Sequence, residues 1–249
     1  MHRLLVETGL LENESPVLPA DAARPLKVLR PKDGEEIELF DGRGKWRVYA
    51  WDSATSLLRA QSNNRTIEQS NNSLTLFACV TKGSRWDWTI EKATELGVTR
   101  IVPVISERTI VRIPKGERAA KRERWMRIAE DAARQSDAKW LPEICEAVDF
   151  KDALPLVRET TCFIGALTNP PARPLMKAVE DFKRETGDLK DVSTFIGPEG
   201  DFTPEELKAL MEIATPTSFG PTILRAETAA IYAVSVLAAS LQGVRDSLE

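Results

Sequence analysis

The stretch FIGPEGDFTPEE, residues 195–206, contains the end of a strand, a loop and the start of a helix within twelve residues. It joins the end of a short apolar run, Val192–Ile196, to Gly-Pro-Glu-Gly and then to Thr-Pro-Glu-Glu. Threonine followed by proline, with glutamate three residues on, is typical of a helix start, and it predicts a helix over Thr203–Met211 with Thr203 as the N-cap. A buried strand, a tight loop and a helix in this order form the repeating unit of an α/β protein.

The same alternation runs from residue 74 towards the C-terminus. Continuous apolar runs predict four strands: Leu74–Val80, Arg100–Ile105, Cys162–Leu167 and Val192–Ile196. Helical spacing predicts further helices at Trp86–Ala93, Trp125–Ala132, Leu175–Phe182 and Ala226–Val244. Apolar strands that alternate with helices favour a parallel sheet that is covered on both faces.

The first 70 residues follow a different pattern. Ile37–Phe40 and Trp46–Trp51 have the composition of strands, and the Gly-rich segment Asp41–Gly44 predicts a tight turn between them. Short strands with tight turns favour a small β-barrel. A polar stretch at 61–72 then predicts an exposed hairpin or linker. We therefore expect an α/β protein of two domains, a β-barrel over 1–70 and a larger domain over 71–249.

The residue totals exclude several classes of protein. The single histidine, His2, leaves no partner for Ser-His-Asp hydrolysis. The three cysteines are widely spaced and form no CxxC pair, so neither a disulfide framework nor a metal site is expected. No signal peptide is visible after Met1, and the apolar run Ala229–Leu241 is shorter than the ~20 residues of a membrane span. A cytoplasmic protein without a membrane partner is expected.

The net charge is −4, but one stretch is strongly basic. Arg108–Arg127 contains eight basic and two acidic residues, which gives a local net charge of +6. A patch of this kind can hold phosphates although the whole protein is acidic. A solvated helix face is the alternative interpretation of the same residues.

Three loops are predicted at strand ends, where open α/β sheets bind their ligands. They are Thr168–Pro171, Gly197–Gly200 and Ser218–Pro221. The chain has neither a GxGxxG nor a GxxxxGK[ST] motif, so a dinucleotide or a nucleoside triphosphate is not the expected ligand. Glycine allows close approach of the backbone and proline fixes the loop, which suits a neutral heterocycle such as adenine. Tight turns without a ligand are the alternative.

Four motifs carry a resemblance to a known family. IGPEGDFTPEE (196–206) and FGPTILRAETA (219–229) resemble the two signature motifs of the knotted SPOUT RNA methyltransferases, and in particular of the branch that methylates N3 of a uridine in small-subunit ribosomal RNA. KGSRWDWTIEKATELGV (82–98) and RQSDAKWLPEI (134–144) are similar to two further motifs of that family. VLRPKDGEEIELFDGRGKWRVYA (28–50) resembles its PUA-like barrel. The resemblance spans nearly the whole chain.

The resemblance implies a C-terminal trefoil knot, a homodimer, and S-adenosyl-L-methionine as the cofactor, bound in the knot. Carried over by position, it implies a cofactor pocket made of Leu167, Thr168, Ile196, Gly197, Pro198, Glu199, Gly200, Phe219, Gly220, Ile223 and Leu224. Small-subunit ribosomal RNA is then the expected partner.

The resemblance and the chemistry together suggest roles for charged residues. Arg225 is the candidate to stabilise negative charge on the uracil carbonyls, and Glu227 is the candidate to accept the N3 proton or to hold Arg225. An ordinary ion pair between the two is the alternative. Five basic residues are candidates to hold the RNA backbone: Arg30, Arg85, Arg112, Lys115 and Arg122.

The chain departs from the family pattern at two places. The family usually has Glu-Gln before the serine of the fourth motif and Arg two residues after it, whereas this chain has Arg134, Gln135 and Ala138 around Ser136. Lys139 or the basic stretch before it is a candidate to compensate. Asp201 stands where a second glycine is common. A ribose 2′-hydroxyl or another base as the target, a non-catalytic RNA-binding protein, and a metabolic α/β enzyme remain as alternatives.

Overall fold

The computed structural model describes residues 1–20, 22–23, 26, 30–168 and 170–242. The chain divides into two compact units, of which the first holds Met1–Ser70 together with Glu130–Leu141 and the second holds the rest. Asn169 and the predicted helix end at Val244 lie outside the described residues.

A sheet of five strands forms the first unit. Its elements are β1 (His2–Leu5), a short helix α1 (Thr8–Leu11), β2 (Glu36–Phe40), β3 (Lys45–Asp52), β4 (Leu57–Ala60) and β5 (Arg65–Thr66). The strand order is β1-β2-β3-β4, and β5 pairs with the other end of β3. β1 and β2 are parallel, and the other pairs are antiparallel. The predicted strands at Ile37–Phe40 and Trp46–Trp51 are confirmed.

The core of the first unit lies on one face of this sheet. Leu4, Ile37, Leu39, Tyr49 and Leu58 are all buried there. Among the described strands no pairing connects β4 or β5 back to β1, so a closed barrel is not found.

A parallel sheet of seven strands forms the second unit. Its strands are β6 (Ser73–Cys79), β7 (Arg100–Ile105), β8 (Glu143–Ile144), β9 (Val148–Asp149), β10 (Thr161–Gly165), β11 (Asp191–Ile196) and β12 (Thr215–Thr217). The order is β12-β10-β11-β6-β7-β8, with β9 also paired to β7, and every pair is parallel. The four strands predicted from apolar runs are confirmed, with boundaries that differ by at most two residues.

Helices cover both faces of this sheet, as predicted. They are α2 (Ser84–Glu95), α3 (Arg118–Ser136), α4 (Phe150–Arg158), α5 (Leu175–Thr186), α6 (Pro204–Met211) and α7 (Ala226–Gln242), with a 3₁₀ turn at Lys115–Glu117. Residues of α2, α5 and α7 share one buried cluster, and residues of α4 and α6 share the other. Alternation along β11 sends Ile196 to the first cluster and Phe195 to the second.

The capping box predicted for the helix after residue 203 is present at α6. The Thr203 hydroxyl accepts a hydrogen bond from the Glu206 amide at 3.2 Å, and the Glu206 carboxylate accepts one from the Thr203 amide at 3.1 Å. The reciprocal pair satisfies two backbone donors that the helix leaves without partners. It fixes where the loop after β11 ends.

Several elements had no clear sequence signal. α4 contains Pro155 in its interior, and proline usually ends or bends a helix. β8, β9 and β12 have only two or three residues each, which is too short for a visible period. No helix among the described residues has the length and apolar content needed to cross a bilayer.

Candidate active site

Three loops meet at the carboxyl edge of the second unit's sheet. They follow β12, β10 and β11, which are consecutive neighbours in the sheet and run parallel. They enclose a cavity of about 340 Å³, to which the start of α7 also contributes. The lining consists of Gly165, Ala166, Leu167, Phe195, Ile196, Gly197, Pro198, Glu199, Asp201, Thr217, Ser218, Phe219, Gly220, Thr222, Ile223, Leu224, Arg225, Ala226 and Ala229.

Most of the residues predicted for the pocket line this cavity. Those brought together are Leu167, Ile196, Gly197, Pro198, Glu199, Phe219, Gly220, Ile223, Leu224 and the predicted catalytic Arg225. Thr168, Gly200 and Glu227 are not part of the lining. The Thr168 hydroxyl donates instead to the carbonyl of Pro170 at 2.8 Å.

The loop after β11 is a tight turn with its own support. The Asp201 amide donates to the carbonyl of Pro198 at 2.9 Å, which closes the turn. Asp201 has φ of +59°, in the left-handed region, and its carboxylate accepts a hydrogen bond from the next amide, of Phe202, at 2.7 Å. Aspartate tolerates this region better than most residues that carry a Cβ. The family's usual glycine and this aspartate therefore meet the same backbone requirement.

An aromatic ring forms part of the wall between the loops after β10 and β12. A Cβ built on Gly165 would lie 2.6 Å from the Phe219 ring, so only glycine allows this approach. Phe219 also packs on Tyr232 of α7, with ring centroids 5.5 Å apart. Gly220 follows with φ of +127°, which disfavours any side chain.

Several lining residues carried no sequence signal of their own. Gly165 and Ala166 precede the predicted loop, and Ala226 and Ala229 lie in the first turns of α7. The feature of the sequence that could have indicated these residues is their small side chains next to the predicted loops, since small side chains leave room for a ligand beside the backbone.

Charged groups surround the mouth of the cavity. Arg225 is exposed, and its guanidinium has no ion-pair partner among the described residues. Glu227 pairs instead with Arg85 of α2, with 3.7 Å between the Arg85 Nε and the Glu227 Oε1. The other side of the Arg85 guanidinium lies 3.6 Å from the Glu199 carboxylate. The ordinary ion pair between Arg225 and Glu227, considered as an alternative, is therefore not formed.

The second oxygen of Glu227 has no hydrogen-bond partner. Glu227 Oε2 is buried, and no described donor reaches it. A buried carboxylate oxygen without a donor carries a free-energy cost that a ligand can relieve. A mostly neutral cavity with a free cation at its mouth and an unpaired carboxylate oxygen nearby is suited to hold an uncharged ring while a proton is moved.

The residues predicted to contact RNA have different surroundings. The Arg112 guanidinium donates to two backbone carbonyls of the preceding turn, at 3.1 and 2.6 Å. Arg122 donates through Nε to the carbonyl of Ile144 at 2.6 Å. Arg30 and Lys115 are exposed, without a side-chain partner in the part of the chain that the structure describes. Part of the basic stretch therefore serves the fold, and part is free for a ligand.

Lys139 is engaged within the first unit. Its amine lies 4.9 Å from the centre of the Trp46 ring and forms ion pairs with Glu38 and Asp137. The side chain is only 14% exposed. It anchors the segment after α3 to the five-stranded sheet. It therefore does not offer a free cation to replace the arginine that the family usually has at the position of Ala138.

The comparisons with known proteins identify the family of the chain. A family model described as an RNA methyltransferase domain matches residues 68–238, which places the chain in that class. The ribosomal RNA small subunit methyltransferase E of Synechocystis is 30% identical over 220 residues, covering 87% of this chain and 70% of that protein. The chain belongs to the ribosomal RNA small subunit methyltransferase E family.

Two solved structures are similar over nearly the whole chain. A ribosomal RNA small subunit methyltransferase E from Neisseria gonorrhoeae, bound to S-adenosyl methionine, is 28% identical with a TM-score of 0.76 and covers 98% of both chains. A putative methyltransferase from Legionella pneumophila, in complex with its bound cofactor SAM, is 26% identical with a TM-score of 0.80 and covers 97% of both chains.

Proposed function

We propose that this protein transfers a methyl group from S-adenosyl-L-methionine to N3 of a uridine in 16S ribosomal RNA of the small subunit. The observation that carries the proposal is the cavity at the carboxyl ends of β12, β10 and β11, where Gly-Pro loops form the walls and Arg225 lies unpaired at the mouth. Membership of the ribosomal RNA small subunit methyltransferase E family supports the choice of RNA.

The cavity fits S-adenosylmethionine in size and charge. Its volume of about 340 Å³ is within the usual range of small-molecule sites. Backbone groups of Gly197–Glu199 and Ser218–Leu224 are suited to hold a neutral adenine. Glu199 and Asp201 supply negative charge for the ammonium and sulfonium groups. When bound, the cofactor supplies an electrophilic methyl group whose departure needs no proton.

The fold around this site is proposed to be the SPOUT trefoil knot. The chain leaves β11, forms α6 and pairs β12 beside β10, and then packs α7 against β11 and β6. The chain thus returns from β12, at the edge of the sheet, to the middle of the sheet, and this path supports a knot. We further propose that residues 1–70 form a PUA-like RNA-binding domain and that residues 71–249 form the catalytic domain.

A homodimer and a cytoplasmic location complete the proposal. Leu167 and Ile223 are 71% and 80% exposed at the rim of the cavity, and large exposed apolar side chains favour burial against a partner. The cytoplasm is supported by the thiols of Cys79, Cys145 and Cys162, which are all free.

Arg225 and Glu227 would divide the chemistry of the acceptor between them. Uridine N3 carries a proton between two carbonyls, and negative charge spreads to both oxygens when this proton leaves. The free Arg225 guanidinium would stabilise that charge, as a donor aimed at developing charge does. Glu227 would take the proton through its unpaired Oε2, while Arg85 holds Oε1.

The target base must first leave its stack, which costs a few kcal/mol in a structured RNA. Exposed basic residues such as Arg30 and Lys115 would hold the RNA backbone during this step.

Methyl transfer to isolated ribosomal subunits tests the proposal. Purified protein is incubated with labelled S-adenosylmethionine and either small or large subunits that lack base methylation. We expect label in the RNA of the small subunit alone. Label in the large subunit, or bound cofactor without transfer to either subunit, would contradict the proposed substrate.

A further inference from the structure

The loops after β7 and β11 are joined at the carboxyl edge of the sheet. β7 ends at Ile105 and β11 at Ile196, and β6 lies between the two strands. Hydrogen bonds between the loops therefore span the end of β6. The loop after β11 lines the cavity, whereas the loop after β7 does not.

Arg108 makes most of this connection. Its Nη1 donates to the carbonyl oxygens of Gly200, at 3.0 Å, and Phe202, at 3.3 Å. The neighbouring Glu107 amide donates to the Glu206 carboxylate at 2.9 Å. Two hydrogen bonds from one guanidinium thus hold the far end of the cavity loop, and a third joins Glu107 to the first turn of α6.

The loop that carries Arg108 is braced from within. The Ser106 amide donates to the Thr109 hydroxyl at 3.0 Å, and Thr109 is only 1% exposed. The Arg112 guanidinium donates to the carbonyls of Ser106 and Glu107. Arg108 therefore extends from a fixed platform, and its hydrogen bonds restrain the cavity loop.

We propose that Arg108 is a positioning residue that holds the Gly-Pro-Glu-Gly loop in its ligand-binding conformation. By fixing the carbonyls of Gly200 and Phe202, it keeps Gly197–Glu199 arranged around the cavity before a ligand enters. A site that is already ordered spends less of its interaction energy on ordering when it binds. The effect on cofactor affinity rests on the proposed function, but the restraint of the loop does not.

Calorimetric titration with S-adenosylmethionine measures the effect on affinity. Arg108→Ala is expected to raise Kd roughly tenfold, since two hydrogen bonds from a charged donor are lost. Arg108→Lys keeps the charge on a side chain with a different donor geometry, and its Kd is expected to fall between those of the wild type and Arg108→Ala. Arg158→Ala is the matched control. Arg158 is exposed at the C-terminal end of α4, just before the start of β10, whereas the cavity lies beyond the end of β10. It is expected to bind within about twofold of the wild type.

Amide hydrogen exchange tests the restraint without a cofactor. In Arg108→Ala the amides of residues 199–203 are expected to exchange about tenfold faster than in the wild type, while those of β6 stay unchanged. Unchanged exchange in this loop, or unchanged affinity in both Arg108 variants, would overturn the inference. A wild-type protein that binds no S-adenosylmethionine would instead overturn the proposed function, and the exchange measurement would still decide the role of Arg108.

Discussion

Two charged residues at the start of α7 have opposite surroundings. Arg225 is exposed without a partner among the described residues, whereas Glu227 is mostly buried and paired with Arg85. An unpaired arginine beside a cavity costs the protein little, because its charge stays hydrated. A buried carboxylate needs a partner, and Arg85 supplies it for one oxygen. The Arg225 guanidinium is therefore free for a ligand, whereas Glu227 is held by Arg85 at one oxygen and keeps the other oxygen unpaired.

Replacing Arg225 with alanine tests the first of these roles. Methyl transfer at saturating substrate is expected to fall about 10²-fold, in the range found when one donor to developing charge is removed. The Kd for S-adenosylmethionine is expected to stay within about threefold, because no hydrogen bond or ion pair joins the guanidinium to the loops among the residues that the structure describes. Single-turnover kinetics and calorimetry provide the two values. An equal loss of binding and transfer would show that Arg225 supports the pocket instead.

Asp201 allows a second test at the scale of one residue. Its φ of +59° is unfavourable for a β-branched side chain, so Asp201→Val is expected to lower the free energy of unfolding by about 1–2 kcal/mol. Asp201→Gly removes the strain and also the local hydrogen bond, and it is expected to stay within about 0.5 kcal/mol of the wild type. Urea unfolding measures both. A valine variant as stable as the wild type would contradict the left-handed geometry.

Among the secondary-structure elements, the end of β10 and the loop after β12 shape one wall of the cavity. β10 ends at Gly165, and the Phe219 ring from the loop after β12 occupies the space that a side chain would need. The ring in turn contacts Tyr232 of α7. One glycine therefore sets how closely two neighbouring loops approach.

Gly165→Ala is expected to displace the Phe219 ring and to raise the Kd for S-adenosylmethionine about tenfold, because cores that are already filled tolerate extra atoms poorly. Gly116→Ala is the control, since a Cβ there meets nothing within 4 Å. Calorimetry of both variants beside the wild type makes the comparison. Equal affinities for the two variants would contradict the role of this close approach.

The sequence predicted these elements well where local chemistry decides the structure. The Thr203–Glu206 capping box and the Gly-Pro loops depend on residues a few positions apart, so their pattern is visible in the chain. The pairing of Arg85 with Glu227, and that of Lys139 with Glu38, join residues far apart in the sequence and depend on how strands are ordered. The sequence analysis did not predict α4, because Pro155 lies inside the helix and proline usually indicates a helix end.

For the molecule as a whole, the pKa values of two buried thiols depend on how completely the core of the second unit excludes water. Burial raises the pKa of Cys79 to about 11 and that of Cys162 to about 12, against an ordinary value of 9.0. Above pH 9 the unfolded chain loses these protons while the folded chain keeps them. Stability is therefore expected to be unaffected by these thiols below pH 9 and to fall as the pH rises towards 11–12.

Urea unfolding at pH 8 and pH 10 measures this dependence. In Cys162→Ala the loss of stability between the two values is expected to be about 1 kcal/mol smaller than in the wild type, since one pH unit above the unfolded pKa corresponds to ~1.4 kcal/mol for each thiol. Comparing the two proteins removes the contribution of lysines and tyrosines that titrate in the same range. An identical loss in both would show that the Cys162 thiol is not shielded from water.

Nucleoside analysis after methyl transfer shows which base and which atom of the RNA receive the methyl group. Small subunits lacking base methylation are treated with the protein and labelled S-adenosylmethionine, and their RNA is digested and separated by mass spectrometry. We expect the label in 3-methyluridine. Label in a ribose-methylated nucleoside or in another base, or no label while the cofactor is bound, would contradict the proposed function.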